Sequence, residues 1–165
     1  VNMGRHFEKI SFEQFKKDVS DDKKLYEEYM LPRRATKHSA GYDFFSLFDF
    51  TLKKGEKITL PTGVKVVMED DEMLMIVVRS SMGFKYNVRM CNQVGILEND
   101  YYNNPKNEGH TFIKIQNEGD KDFIVKKGEA IGQGIFVRFL TVDNEEEILN
   151  ERVGGIGSTN KNRGE

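Results

Sequence analysis

Met73-Leu74-Met75-Ile76-Val77-Val78-Arg79-Ser80-Ser81-Met82-Gly83 is the stretch whose reading decides the fold class. Its first six residues are the longest apolar run in the chain. Six residues is strand length, far short of the roughly 18 that a membrane-spanning helix needs. The run ends abruptly in a cation, two hydroxyls and a glycine, so a buried-looking strand delivers polar chemistry at its end. Short strands of this kind recur outward in both directions. Val64-Lys65-Val66 is separated from the central run by the acidic turn Glu69-Asp70-Asp71-Glu72, and Lys57 to Leu60 follows the turn Lys53-Lys54-Gly55-Glu56. Phe48, Phe50 and Leu52 alternate with polar residues, while Thr111 to Gln116, Asp122 to Val125 and Ile135 to Val142 read as later strands. Strands this short, punctuated by Gly, Asn and Asp, predict a mainly β chain with a closed or double-layered antiparallel architecture.

The N-terminal part has a different period. Ser11-Phe12-Glu13-Gln14 has the S-x-x-Q form of a capping box, and Phe12, Phe15 and Val19 follow at helical spacing. A second helical stretch, Lys23 to Tyr29, places Tyr26, Tyr29 and Met30 on one side before Pro32 discourages continuation. The expected organisation is therefore a helical N-terminal extension over 1–32, a β domain over 33–150 and a glycine-rich closing tail over 151–165. The extension reads as an appendage packed on the main domain, with a lid or partner-binding arm as the sharper alternative. Asp143 to Glu147 reads as a solvated turn, and the segment from Gly154 onward has almost nothing to bury.

Composition excludes several classes. With 165 residues, 38% of them hydrophobic, one core is expected, and global disorder is not. Twenty-five basic and 27 acidic residues leave a net charge of −2. That supplies no field for a nucleic-acid backbone, so any phosphate contact must be local. Neither a nucleic-acid nor a membrane partner is expected. Cys91 is the only cysteine, which rules out an intramolecular disulfide and a cysteine-built zinc site. With no signal-peptide-like apolar core near the start, a reducing cytoplasm is the expected compartment. His6, His38 and His110 share no ligand spacing and read as solvated or structural residues.

Polar clusters carry the chemistry. Arg79-Ser80-Ser81-x-Gly83 offers a fixed cation, hydroxyls and permissive backbone at a strand end, which suits phosphate, although a surface turn would look the same. Glu98 and Asp100 lie two apart in an expected extended segment, which would turn both carboxylates to one face for activating water or positioning a metal. Asn92 can present a donor and an acceptor together to a pyrimidine imide edge. Gly128 to Gln133 reads as a turn-rich interruption between strands. The tail Gly154-Gly155-Ile156-Gly157-Ser158-Thr159 permits close backbone approach to an anion, but lacks the Lys of a P-loop.

Taken in order, these clusters resemble the five motifs of the trimeric dUTP pyrophosphatases, or dUTPases, over about residues 33–160. Ser39-Ala40-Gly41-Tyr42-Asp43 is similar to the first, Arg79-Ser80-Ser81-x-Gly83 to the second and Asn92-x-x-Gly95-x-x-Glu98-x-Asp100-Tyr101 to the third. Gly128-Glu129-x-Ile131-x-Gln133 resembles the fourth and Gly154 to Thr159 the fifth. The resemblance implies an antiparallel jelly-roll-like β-sandwich forming a homotrimer, with each site built from all three subunits, and hydrolysis of dUTP to dUMP and pyrophosphate. It implies Mg²⁺ on the triphosphate oxygens, with Asp43 accepting from metal-bound water. Glu98 would orient the attacking water, with Asp100 as fallback, and Tyr101 would pack beneath deoxyribose and exclude a 2′-hydroxyl. Asn92, with backbone near Gly95, would read uracil. Arg79, Ser80, Ser81, Gly83 and Gln133 would hold phosphates, and Arg152, Ile156, Ser158 and Thr159 would close over the ligand.

The chain departs from the family's pattern at several positions. Glu98 stands where Asp is usual, and one more methylene shifts the carboxylate by roughly an ångström, enough to matter for positioning. Ile156 stands where Phe usually stacks on uracil. Arg152 lies four residues before Ile156 rather than five, Gly132 replaces Ala, and Val78 replaces Pro. Two other readings compete. A dCTP deaminase of related fold would need a Glu three residues before an Asn on a later strand, but that spacing from Asn117 falls on Lys114, which cannot relay a proton as a carboxylate does. A dUTP-sensing or protein-binding module with weakened turnover is the other, motivated by Glu98 and Ile156.

Overall fold

The stretch from Glu72 to Val77 is strand β6 of the computed structural model, which describes residues 4–157. Its residues alternate buried and half-buried, with Leu74 and Ile76 turned to the core. β6 is central because it is paired along both edges. The antiparallel sheet runs β2 (Tyr42–Phe45), β11 (Ala130–Arg138), β6, β8 (Gly95–Glu98). A second sheet, β4 (Lys57–Pro61), β9 (Phe112–Asn117), β7 (Val88–Met90), supplies the other layer. β3 (Phe50–Leu52) pairs with β10 (Phe123–Val125), and β1 (His6–Lys9) with β5 (Val64–Val67). Phe44, Leu74 and Ile131 from the first sheet meet Leu60, Ile113 and Ile115 from the second in one core. The result is a mainly β, antiparallel, jelly-roll-like sandwich, as the alternation of short strands requires.

Three local expectations change. The last long strand begins at Ala130 and ends at Arg138, not Ile135 to Val142; Leu140 and Val142 beyond it are exposed. The cluster Gly128 to Gln133 is consequently not an interruption, since only its first residues turn and Gln133 lies within the strand. Arg79-Ser80-Ser81-x-Gly83 is not a turn either. Arg79 caps a seven-residue helix, α3 (Ser80–Tyr86), in which Gly83 is an ordinary helical position, and Asn87 in the left-handed region stops the helix.

The N-terminal segment is tied into the body. β1 precedes the helices and hydrogen-bonds to β5, a strand the helical reading of this segment omits. Helix α1 (Phe12–Asp18) begins at Ser11, whose hydroxyl accepts from the Gln14 amide as the capping box predicts. The reciprocal half of the box is different: the Ser11 N–H donates to Glu108 at 2.7 Å, and Gln14 turns to Asp18. Helix α2 (Lys23–Glu28) packs beside α1, and Ile10, Phe15, Tyr29 and Leu47 form a second small core. Tyr29 lies on Gly63, where any Cβ would meet the ring at 2.6 Å, and its hydroxyl donates to the Gly63 carbonyl at 2.6 Å. Gly63, at φ +74, serves both the turn and this approach.

Below these helices His110 is fully buried. Its Nε2 accepts from the Gly63 N–H at 2.9 Å, which places the ring proton on Nδ1, 2.6 Å from Asp18. Burial pushes the imidazole below its ordinary value of 6.5, outweighing the carboxylates of Asp18 and Glu108. The native state therefore favours neutral His110, and the stability this confers is present above about pH 6.5 and is lost as pH falls from there through the depressed native value. Glu8, Glu72 and Glu108 are held below 4.5, so their contributions are lost only at more acidic pH. Urea titrations of the wild type should show the midpoint falling between pH 7 and 5.5, whereas His110→Gln, with nothing to protonate, should show a flat profile there.

Candidate functional site

Two clusters of polar side chains lie on the β6 sheet. The first is built where β6 ends. A bulge between Ala130 and Gly132 brings Gln133 opposite Asp43 on one side and Val77 on the other. Asp43, almost fully buried, forms an ion pair with Arg79, Oδ1 lying 3.2 Å from Nε. The Gln133 amide folds over Gly41 and donates to the Val78 carbonyl at 3.2 Å. Ser80 and Ser81 are exposed in the turn of α3 that follows Arg79. The cluster thus sets a guanidinium on one carboxylate, a carboxamide at the paired position of the next strand and hydroxyls at the start of the helix that follows, a donor-rich set suited to phosphate oxygens.

The second cluster lines a cavity of about 450 Å³ beside β8. Asn92, Gly95, Glu98, Tyr101, Arg152 and Ile156 all border it. Asn92 is exposed in the tight turn joining β7 to β8, with Gln93 at φ 63. Glu98 ends β8, and Asp100 lies in the single 3-10 turn Asn99–Tyr101. The expected extended segment therefore stops at Glu98, because Asn99 turns inward to donate to the Met68 carbonyl at 2.6 Å. The two carboxylates nonetheless converge: Arg152 binds Glu98 through one guanidinium nitrogen and Asp100 through Nε at 2.7 Å. Gly155 lies against the Tyr101 ring, and Ile156 is fully exposed at the cavity rim. Ser158 and Thr159 lie outside the described residues.

Tyr101 is the most constrained member of the cavity. Its hydroxyl donates to the His110 carbonyl and accepts from Asn107 Nδ2, both at 2.8 Å. Burial raises the phenol's pKa, so the ring presents a neutral wall. His110 and Asn107 are functional candidates that motif reading misses. Their signal was available only as a Pro-, Gly- and Asn-rich segment, Asn103 to His110, which reads as an ordinary loop.

The clusters do not meet within one chain. Glu98 pairs in register with Met73, at one end of β6, whereas Arg79 follows the other end. Six residues at strand rise separate them by roughly 20 Å. Among the described residues no group of three or more His, Cys, Asp or Glu converges to hold a metal ion.

The dUTPase family model matches residues 27–160. A deoxyuridine 5′-triphosphate nucleotidohydrolase of Lactococcus lactis is 42% identical over 130 residues, covering 78% of this chain and 87% of that protein. The crystal structure of dUTPase from Streptococcus mutans is 38% identical with a TM-score of 0.67, covering 84% of this chain and 98% of that one. The fold is shared with a phage phi11 dUTPase mutant of Staphylococcus aureus, 17% identical over 88% of this chain and 97% of that one, with a TM-score of 0.63; its structure is described as revealing coordination of a structural Mg(II) ion. The chain belongs to the dUTPase family.

The first cluster depends on the missing side chain at Gly41, since a Cβ there would overlap the Gln133 amide. Gly41→Ala should force Gln133 off the Val78 carbonyl at the cost of one hydrogen bond, about 0.5–1.5 kcal/mol. Thermal unfolding checks this: an unchanged melting temperature would show that Gln133 is free to move.

Proposed function

We propose that the protein hydrolyses dUTP to dUMP and pyrophosphate in a homotrimer, each site joining the Asp43 cluster of one subunit to the Glu98 cavity of another. Membership of the dUTPase family supports the reaction. The observation that carries the assembly is the separation of roughly 20 Å between Arg79 and Glu98 along β6, too far for one chain to grip a triphosphate and aim water at its innermost phosphorus. Large apolar side chains left exposed on the single chain, including Phe84, Leu140 and Leu149, are consistent with surfaces covered by neighbours.

In this reading Asn92 and the backbone near Gly95 bind the uracil edge. Tyr101 packs beneath the sugar. Arg79, Ser80, Ser81 and Gln133 take phosphate oxygens, with the α3 backbone at Gly83 beside them, and Arg152, Ile156, Ser158 and Thr159 close the tail over the nucleotide. Among the described residues Asp43 belongs to no group of three or more acids or histidines, so the first cluster fits a Mg²⁺ ion held by triphosphate oxygens and water better than one caged by protein. When bound, such an ion neutralises polyphosphate charge and polarises the P–O bonds. Glu98 accepts a proton as water attacks the α-phosphorus, and the bond to the bridging oxygen breaks to release pyrophosphate. Arg152 occupies one Glu98 oxygen in the free chain, which leaves the other to accept from water. Among the described residues no helix is long and apolar enough to cross a membrane. Lys114 stands exposed on β9, and nothing near it favours deamination.

Glu98→Gln should lower turnover by at least about a hundredfold while leaving affinity for a non-hydrolysable dUTP analogue within a few-fold. Pyrophosphate release and calorimetry separate the two. Wild-type turnover in the variant removes Glu98 from the mechanism, and tight binding without turnover in the wild type makes the protein a sensor.

A further inference from the structure

The N-terminal helix reaches the same tyrosine that the proposed function assigns to sugar discrimination. Tyr101 makes both of its hydroxyl bonds to one loop, 103–110, through the His110 carbonyl and the Asn107 side chain. That loop is not relaxed by itself, because Asn103 and Glu108 both sit at positive φ, 55° and 65°. Buried Asn104 braces its interior: Oδ1 accepts from the Lys106 and Asn107 amides, and Nδ2 donates to the Tyr101 carbonyl and to Asn107 Oδ1.

The loop's far end is gripped by α1 at two points. Glu108 accepts from the Ser11 N–H and hydroxyl, at 2.7 and 2.6 Å, just before the helix starts. Burial opposes ionisation of Glu108, but the bonds from Ser11 and Lys65 outweigh it and hold the carboxyl below its usual range. At the helix's last residue, Asp18 accepts from His110 Nδ1 at 2.6 Å. A seven-residue helix has little stability alone, so its place depends on these contacts and on Phe15 in the small core.

We infer that α1 is a positioning element for Tyr101: Asp18 through His110, and Asn107 directly, hold the phenol in place and thereby set how strongly a ribonucleotide is rejected. This rests on the reading of Tyr101 as the wall beneath the deoxyribose. The argument is geometric. Excluding one added hydroxyl requires a wall that cannot yield by an ångström, and a ring with both hydroxyl bonds anchored has no path to swing aside. Loosening the anchors admits UTP more than it harms dUTP, whose reacting phosphorus is aligned by other residues.

The test measures kcat/KM for dUTP and for UTP in the full-length assembled protein. Asp18→Ala and Asn107→Ala should each lower the dUTP/UTP ratio about tenfold, mainly by raising kcat/KM for UTP. For Asp18→Ala, kcat on dUTP should change by less than about threefold. Asp18→Asn keeps an acceptor for Nδ1–H and should restore most of the ratio, which also covers the case in which the alanine variant does not fold. Tyr101→Phe removes both anchors at once, so adding Asp18→Ala or Asn107→Ala to it should cost no further discrimination. An unchanged ratio in the single variants, or fully multiplicative losses in the double ones, overturns the inference. A wild type inert on dUTP would instead overturn the proposed function, so the two failures are distinct.

Discussion

Everything that the site can do is constrained by β6, a strand paired on both edges that carries one polar cluster at each end. Because it is paired to β11 and β8 along its length and packs Leu74 and Ile76 into the core, it cannot bend or slip to bring its ends together. Register is fixed by the alternation: sliding by one residue would turn Leu74 and Ile76 outward. The chain therefore holds a phosphate-type cluster and a cavity with paired acids at a set distance. In the proposed reading, a ligand that uses both clusters takes its second half from a neighbouring subunit, so a feature of one sheet is what makes assembly matter there.

The second constraint is the loop behind Tyr101. Most of its polar atoms are satisfied within the molecule, by Asn104, Glu108, Ser11 and His110, rather than by solvent. Partnered groups of this kind rigidify where a half-satisfied set would weaken. That explains why a helix too short to stand alone is retained against the body, and why His110 is buried neutral instead of exposed. It also gives the N-terminal segment a route to the cavity without any residue of its own lining it.

How much of this was legible follows from the range of the interactions. Short runs of strand length expose β4, β5 and β9 within a residue or two, and an unbroken apolar run does the same for β6, because burial on a sheet is written locally. The Ser11 cap was equally readable, being a contact between residues three apart. The sequence pattern does not show β1, because His6 to Lys9 alternates poorly and is made a strand by its distant partner β5. The cluster Gly128 to Gln133 reads as an interruption because Gly128 and Gly132 look like breakers, whereas Gly132 lies inside β11. The site residues were nameable from motif order, yet their separation into two groups was not, since it depends on the β6–β8 register. Asn107 and His110 carry no motif and become visible only once Tyr101 has partners.

Two departures from the family's usual pattern touch each other. Glu98 extends one methylene further than Asp would, and Arg152 stands one residue nearer the tail's Ile156 than expected. In the structure these two side chains are bonded, with Asp100 completing the bridge through Arg152 Nε. The two positions are therefore coupled in this chain, because one guanidinium holds an oxygen of each carboxylate. A rate penalty for a displaced base applies when everything around that base stays fixed. With Arg152 on Glu98, the length of that side chain has to be weighed together with the tail segment that meets it.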